Sequence, residues 1–351
     1  MKRLFLGTMV VLAPLVLSAL LSCSSNPGAV SGGGIGGTGV TLGPITQFGS
    51  IFVNGAELDI SNATVSLRGT LGDSNDPNFG LKLGMVVVAR GDFSADGLTG
   101  VATSVDYEDN LKGPVESVDL NLKQLTVLGH TVIVTTVTVF DGVSGLSALS
   151  QGKMVEVSGL VDANGAIRAT RIELKGSTFS EVGELEIKGT ISNLDGVAMT
   201  FDIGSLHIDY GSVQPEHLPS GGLTDGLFVE VKSSQPPFNG TIVASEIEVK
   251  NSFSDSLGSE GDHAEIEGFV TEFSSSDQPF RVNGVPVQTT PATVYEQGVA
   301  GDVANGVLLE VEGTLDAAGV LVAVKVEFED GNGSGGDSSD DGGDELGASS
   351  P

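Results

Sequence analysis

A short oxygen-rich stretch near the C-terminus has residue types and spacing that could hold a metal ion. Asp330, Asn332 and Ser334 stand at alternate positions, Gly335 follows, and Asp341 stands at the twelfth position. Oxygen ligands at positions one, three, five and twelve with glycine at six match much of a Ca²⁺-binding loop. The stretch lacks flanking helical patterns, and acidic low-complexity sequence makes such matches by composition alone. We therefore expect no firm metal site and no cofactor, with Ca²⁺ at these residues as the alternative.

Acid–base or nucleophilic chemistry would have to come from four histidines and one recurring acid. The histidines are scattered and show no pairing at metal-ligand or catalytic spacing. The acid returns once per repeat, at a predicted strand end, which places the four carboxylates far apart unless the repeats stack closely. Solvated strand ends are the favoured interpretation, and we predict no catalytic residue. The acids are Asp106, Glu173, Glu248 and Glu327, and the histidines are His130, His207, His217 and His263.

Residues 1–22 have the features of a secretory signal peptide. Two basic residues precede an apolar run that ends near Leu21 and is short for a membrane span. Cys23, the single cysteine of the chain, follows as in a bacterial lipobox, although Leu21 stands where a small residue is usual. We expect cleavage and lipidation at Cys23, and Ser24 is typical of lipoproteins sorted to the outer membrane. A simple secretory signal or an uncleaved anchor is the alternative.

The charge of the chain limits its partners. There are 46 acidic and 16 basic residues, a formal net charge of -30, and no tryptophan. Such a field repels phosphate backbones, and few aromatic rings leave few stacking platforms for bases. We therefore expect no nucleic-acid partner. The expected partners are the membrane, reached through the lipid anchor, and an envelope protein or glycan.

One pattern of glycine, apolar run, turn glycine and apolar run occurs four times. The clearest copy is 152–173, GKMVEVSGLVDANGAIRATRIE, in which apolar residues largely alternate around the turn at 162–165. Alternation at period two indicates half-buried strands, and a recurring pattern at near-constant offsets indicates internal repeats. The first glycines are Gly84, Gly152, Gly226 and Gly306, and the turn glycines are Gly97, Gly165, Gly240 and Gly319.

Each repeat offers five or six short strands and one brief helical or loop segment, as at 146–149. Five strands with one such interruption outline an OB-fold, although periodicity leaves a two-layer sandwich open. The third repeat departs from the others, because Ser233 stands where they have Gly91, Gly159 and Gly313. We predict an all-β protein of four tandem small β-barrel, OB-like domains with a disordered tether and tail.

The predicted segments cover the whole chain apart from two short polar linkers. They are a lipoprotein signal peptide at 1–22, a Gly/Ser-rich tether at 23–41, β-barrel repeats at 42–109, 110–176, 183–251 and 264–330, and an acidic disordered tail at 331–351. The tail contains too few apolar residues to fold.

The repeat motifs resemble those of the bacterial domain-of-unknown-function family 5666, which occurs in tandem in predicted lipoproteins and envelope proteins. The motifs are GSIFVNG at 49–55, LKLGMVVVARG at 81–91, GPVESVD at 113–119 and the stretch 152–173. The resemblance covers roughly 42–330 and is weakest in the third repeat. It implies an envelope β-barrel module, and the family has no assigned activity or catalytic residue to carry over.

Together these features predict an envelope lipoprotein of unknown specific role. We predict that it acts as a noncatalytic binding or structural module rather than as an enzyme. Two alternatives stay open. One is a hydrolase that uses carboxylates at a cleft between barrels, and the other is a Ca²⁺-stabilised surface spacer.

Overall fold

The computed structural model describes residues 37–216, 218–219, 221–250 and 257–329. Within these ranges no helix is both long and apolar enough to cross a membrane. Several sequence-predicted residues lie outside the described residues: Cys23, His217, Asp330, Asn332, Ser334 and Asp341.

The described chain is built almost wholly of strands. In repeat 1 they are β1 (Gly37–Pro44), β2 (Ile51–Val53), β3 (Ala56–Asp59), β4 (Thr64–Leu67), β5 (Thr70–Leu71), β6 (Val86–Phe93) and β7 (Thr99–Tyr107). In repeat 2 they are β8 (Leu111–Asp119), β9 (Gln124–Val127), β10 (His130–Asp141), β11 (Met154–Val161) and β12 (Ile167–Gly176). A 3-10 helix (Leu146–Ala148) precedes β11, and the short helix α1 (Phe179–Val182) follows β12.

The second half continues in the same way. In repeat 3 the strands are β13 (Leu185–Asp195), β14 (Thr200–Ile203), β15 (Leu206–Asp209), β16 (Phe228–Ser233), β17 (Thr241–Val243) and β18 (Glu246–Val249). In repeat 4 they are β19 (His263–Thr271), β20 (Phe280–Val282), β21 (Val285–Gln288), β22 (Val294–Glu296), β23 (Leu308–Leu315) and β24 (Leu321–Phe328), with a 3-10 helix (Ala300–Asp302) before β23.

Repeat 2 shows the barrel in its simplest form. β8 pairs with β9 and β9 with β10, both antiparallel, and β10 pairs in parallel with β12. β12 then pairs antiparallel with β11, and β11 returns to β8. The sheet therefore closes on itself, with five strands and a short helical segment between the third and the fourth. The all-β, OB-like prediction is confirmed, and the barrel rather than the sandwich is the architecture.

The other repeats follow the same strand order. Repeat 4 closes through β19, β20, β21, β24 and β23. In repeat 1 the chain after β1 completes the barrel, because the Thr46 amide donates to the Phe52 carbonyl. β1 begins at Gly37, five residues before the predicted start of the repeat, since its glycines conceal the strand pattern.

A glycine on the fourth strand allows the fifth strand to approach closely at a bulge. A Cβ added at Gly91, Gly159 or Gly313 would lie 2.1 to 2.3 Å from a carbonyl oxygen of the neighbouring strand. In repeat 3 this position is Ser233, whose hydroxyl donates to the Val243 carbonyl. The fifth strand is interrupted there, between β17 and β18. The serine noted in the sequence thus marks a local break in an otherwise conserved barrel.

The four barrels are joined edge to edge through their first strands. β1 of repeat 1 pairs in parallel with β19 of repeat 4, from Gly39 opposite His263 to Leu42 opposite Ile266. β8 of repeat 2 pairs antiparallel with β13 of repeat 3 over two residue pairs. Repeats 1 and 4 therefore share one sheet, and repeats 2 and 3 share another.

Apolar cores follow this pairing. One cluster fills repeats 2 and 3 together, and a second fills repeat 4 and includes Val40, Leu42, Val86 and Val88 from the outer face of repeat 1. Repeat 1 has its own interior cluster around Tyr107. Burial of this kind, at roughly 25 cal/mol per Å² of apolar surface, is the main stabilising term for repeats that are small individually.

Candidate functional site

The described chain has a cleft between repeats 1, 2 and 3 with a volume of about 470 Å³. Repeat 1 contributes the β4–β5 hairpin and the loop that follows it. Repeats 2 and 3 contribute side chains from the outer faces of their first and fourth strands. Seven charged residues of both signs line the cleft: Arg68, Asp73, Lys112, Glu184, Glu186, Glu230 and Lys232.

Beside this cleft lies a buried set of charges that we call the Lys188 cluster, formed by Lys188, Glu108, Asp109, Glu186 and Glu230. The Lys188 side chain is 5% exposed. Its Nζ lies 3.1 Å from Glu108 Oε2, 3.2 Å from Asp109 Oδ1 and 3.9 Å from Glu230, and it also pairs with Glu186. One ammonium group therefore serves four carboxylates taken from the repeat 1–2 junction and from two strands of repeat 3.

The surroundings shift the protonation of these groups in ways that follow from charge and burial. Burial alone would lower the pKa of Lys188, but the attraction of Asp109 and the other carboxylates raises it far above the usual value. Burial raises the pKa of Asp109, with partial compensation from Lys188. Burial also acts to raise the pKa of Glu230, yet Lys188, Lys250 and Lys232 together bring it below its ordinary value.

Chemically, this arrangement holds charges in fixed pairs. Lys112 contacts Glu184 at 2.7 Å, and Arg68 contacts Glu156 at 2.8 Å across the repeat 1–2 boundary. None of the described residues that line the cleft is a histidine, cysteine or serine. The cleft can therefore bind a polar ligand through charge pairs, and its carboxylates Glu184, Glu186 and Glu230 are engaged with lysines.

A second group of carboxylates lies on the outer face of repeat 4. We call it the repeat 4 acidic face, formed by Glu265, Glu267, Glu310, Glu312 and Glu327 around Lys325. Glu265 lies directly opposite Glu312, and Glu267 directly opposite Glu310. Carboxylate oxygens of Glu265, Glu310 and Glu312 lie within 4.8 Å of one another. Like charges in such cross-strand positions are destabilising unless protons or a cation neutralise them.

The pKa values of this face are raised. Burial is the main cause for Glu267, whose pKa is raised to about 7, and for Glu310, whose pKa is raised to about 8. Burial and the carboxylates of Glu310 and Glu312 raise the pKa of Glu265 well above its ordinary range. Without a bound cation, the face therefore retains protons near neutral pH.

Three of the recurring acids, Asp106, Glu248 and Glu327, lie one residue before the end of their strands as predicted, whereas Glu173 lies further inside β12. Each is opposite a residue of the fourth strand and pairs with a basic side chain. The pairs are Asp106 with Arg90 at 2.6 Å, Glu173 with Lys175 at 2.9 Å, Glu248 with Lys250 at 2.7 Å and Glu327 with Lys325 at 3.3 Å. Their spacing in the fold gives four separate ion pairs and no shared acidic site.

The three histidines in the described ranges do not converge. His130 contacts the Leu128 carbonyl through Nδ1 at 2.7 Å, in the hairpin of repeat 2. His207 pairs with Asp202 on the surface of repeat 3, and His263 lies exposed at the start of β19. The lipidation residue Cys23 and the four Ca²⁺ candidates lie outside the described residues, so those predictions stay predictions.

The residue before the conserved first-strand glycine was missed as a functional position. Before Gly43, Gly113, Gly189 and Gly268 the chain has Leu42, Lys112, Lys188 and Glu267. The aligned repeats show the change from lysine to glutamate at this register position. They do not show its structural consequence, because the sequence pattern does not indicate which outer faces become buried.

The closed five-strand barrels define a tandem OB-fold protein. The chain belongs to the family described as "Domain of unknown function (DUF5666)", whose model matches residues 42–106, 112–173 and 267–327, just over half of the chain. These ranges fall in repeats 1, 2 and 4, and repeat 3 shares their strand order. The family prediction made from the motifs is confirmed.

Other comparisons add little. The search of curated proteins found no match to this chain. A solved structure described as Drosophila Unr CSD456 is 17% identical, covers 64% of this chain and 98% of that chain, and has a TM-score of 0.17. A likeness at that TM-score carries no argument, so the fold assignment rests on the strand pairing.

Proposed function

We propose that this protein is a lipid-anchored envelope protein whose four barrels form a noncatalytic binding or structural module. Cys23 carries the lipid, the outer membrane is the destination, and the acidic surface faces an envelope protein or glycan rather than a nucleic acid. The signal-peptide pattern and Ser24 support the anchor, and the net charge of -30 supports the choice of partner.

The observation that carries the proposal is the pairing of charges at the repeat boundaries. The Lys188 cluster joins the repeat 1–2 junction to repeat 3, and Arg68 joins repeat 1 to Glu156 of repeat 2. A hydrolase at the same cleft would need a carboxylate free to exchange protons with its substrate. Three of the four described cleft carboxylates, Glu184, Glu186 and Glu230, are instead held by lysines, which suits a scaffold that keeps its barrels in fixed positions. The fourth, Asp73, accepts hydrogen bonds from Asn75.

The cleft supplies the binding part of the module. At about 470 Å³ it falls within the size range of small-molecule sites, and its charges of both signs suit a polar ligand such as a short glycan carrying charged groups. Leu71 also lines the cleft, with 73% of its surface exposed, so its side chain is open to contact with a ligand.

Lipid labelling tests the anchor. Cells expressing the full chain are grown with labelled palmitate, beside cells expressing the Cys23→Ser variant. Label in the wild type and none in the variant is the expected result. Equal label in both, or none in the wild type, would contradict lipidation at this residue.

Thermal unfolding against a panel of envelope glycans tests the binding role. The purified Cys23→Ser chain is the host, and a ligand at a hundred times its Kd should add about 2.7 kcal/mol of stability. Leu71→Asp should remove the shift, whereas Leu122→Asp, at a 63% exposed position of repeat 2 outside the cleft lining, should retain it. If the shift persists in Leu71→Asp, the ligand binds outside the cleft. If no glycan produces a shift, the binding role is contradicted and only the structural role remains.

A further inference from the structure

The starting point is a buried carboxylate without a basic partner. Glu265 is 7% exposed, and no lysine, arginine or histidine of the described chain lies within 4 Å of its oxygens. Its polar neighbours are the carboxyl groups of Glu310 and Glu312. An isolated buried carboxylate is costly, so buried charges are normally paired or bound to a metal.

The single lysine of this face is already committed elsewhere. Lys325 Nζ lies 2.5 Å from Glu312 and 3.3 Å from Glu327. Both contacts lie on the β23–β24 side of the face, whereas Glu265 projects from β19. The ammonium group therefore neutralises one edge of the acidic face and leaves the Glu265–Glu310 side without a positive charge.

Repeat 3 shows what the missing charge does. Glu186 and Glu230 occupy the register positions of Glu265 and Glu310. Carboxylate oxygens of Glu186, Glu230 and Glu108 also lie within 4.8 Å of one another. There the Lys188 ammonium supplies the positive charge. The residue at that position in repeat 4 is Glu267, so the fold repeats the carboxylates and omits their cation.

We propose that Glu265, Glu310 and Glu312 form a Ca²⁺ site on the outer face of repeat 4, with the ion in the role that Lys188 has in repeat 3. Hard cations prefer carboxylate oxygen, and Ca²⁺ binds oxygens at about 2.3–2.6 Å, so two ligands on opposite sides lie about 4.6–5.2 Å apart. Carboxylate oxygens of the three residues lie within 4.8 Å of one another, so a single ion can reach all three.

The site is open enough to load. Glu310 and Glu267 are half-buried, which leaves a solvent path to the otherwise buried Glu265 and Glu312. Water molecules complete the coordination shell of a Ca²⁺ ion that has only three protein carboxylates. This inference does not depend on the proposed binding function, and it concerns different residues from the oxygen-rich stretch at 330–341.

Calorimetric titration of the full Cys23→Ser chain with CaCl₂ at about pH 8, after removal of metal with EDTA, tests the site, since the raised carboxyl pKa values make proton competition stronger at lower pH. One equivalent of Ca²⁺ should bind, and Glu265→Gln should weaken the Kd by about tenfold or more. Glu265→Gln should fold at least as well as the wild type in EDTA, because it removes a buried charge.

Two further variants keep the outcome clear. Glu186→Gln removes the equivalent carboxylate in repeat 3 and should retain Ca²⁺ binding, and so should Asp330→Asn combined with Asp341→Asn. Loss of binding only in Glu265→Gln establishes the site. Loss in the Asp330/Asp341 variant with retention in Glu265→Gln overturns it, and so does the absence of Ca²⁺ binding by the wild type.

Discussion

Repeats 3 and 4 have the same barrel topology, but they place side chains of opposite charge among equivalent buried glutamates. At the position before the first-strand glycine, repeat 3 has Lys188 and repeat 4 has Glu267. Lysines lower the pKa of Glu230, although burial and Asp109 still raise that of Glu186. Burial and acidic neighbours raise the pKa of Glu310 to about 8. The barrel topology fixes the positions of these side chains, and the charges on the outer face determine how its carboxyl groups are neutralised.

The contrast also separates two kinds of burial. The outer face of repeat 3 is buried against Glu108 and Asp109 of the preceding repeat junction, and each carboxylate there lies within 4 Å of at least one lysine. The outer face of repeat 4 is buried with its charges unbalanced. A balanced buried cluster contributes to the joining of repeats, whereas an unbalanced one requires protons or an ion from solution.

The largest effect should come from removing the cation of the balanced face. Lys188→Met leaves four carboxylates around an uncharged side chain, and breaking a buried ion pair from one side costs about 3–5 kcal/mol. The free energy of unfolding from urea denaturation should fall by that amount. Lys123→Met, at an exposed position of repeat 2, should change it by less than about 0.5 kcal/mol. Equal effects of the two variants would mean that the cluster contributes nothing specific.

The bulge glycine should be the next most sensitive position. In Gly313→Ala the new Cβ would lie 2.2 Å from the Val322 carbonyl oxygen, so β24 must shift, at a cost of about 1–3 kcal/mol. Gly301→Ala is the matched control, because no atom lies within 4 Å of its Cβ position. Amide hydrogen exchange should show faster opening of β23 and β24 in the first variant. Unchanged exchange would mean that the strands accommodate a side chain there, as repeat 3 does with Ser233.

A charge reversal on the unbalanced face should act in the opposite direction. Glu267→Lys installs the residue of repeat 3 opposite Glu310 and turns a cross-strand repulsion into an attraction. In EDTA it should stabilise the chain by about 1 kcal/mol. Glu260→Lys changes the net charge equally at an exposed site and should have little effect. A destabilised Glu267→Lys would show that the two faces are not equivalent.

The smallest effect concerns the junction of repeats 2 and 3. Burial lowers the pKa of His130, so the unfolded chain binds more protons than the folded one below the ordinary histidine pKa of about 6.5. The contribution of His130 to stability is therefore complete above that pH and declines as the pH falls below it. Between about pH 7 and pH 5 the wild type should lose up to about 1 kcal/mol more than His130→Gln.

The control for this pH dependence is His263→Gln, at an exposed position in repeat 4. Urea denaturation at both pH values measures the difference. If His130→Gln and the wild type lose the same stability on acidification, the titrating group lies elsewhere.

Much of the fold was predictable because it depends on local signals. The alternating apolar residues, the Asn-Gly hairpins and the recurrent glycines are each tied to a strand or turn of one barrel. Ser233 was visible as an exception, and the break between β17 and β18 explains it. The start of β1 was missed because Gly37 and Gly39 lack the apolar alternation of a strand.

The candidate sites were less predictable because they depend on contacts between repeats. Asp109 and Lys188 are 79 positions apart, and no periodic pattern connects them. The recurring acids drew notice because they repeat, yet each is satisfied by a neighbouring cation. Lys188 and Glu267 carry more information because they differ, and only the burial of their faces gives that difference a consequence.

The pairing of β1 with β19 has a consequence for how the protein reaches its final state. Residues about 220 positions apart must meet, and loop closure over such distances slows folding. Until β19 has been made, one edge of β1 presents free backbone groups that can pair with another chain. The first strand of the described chain is thus completed by the last repeat, and a chain truncated before β19 would leave an aggregation-prone edge at β1.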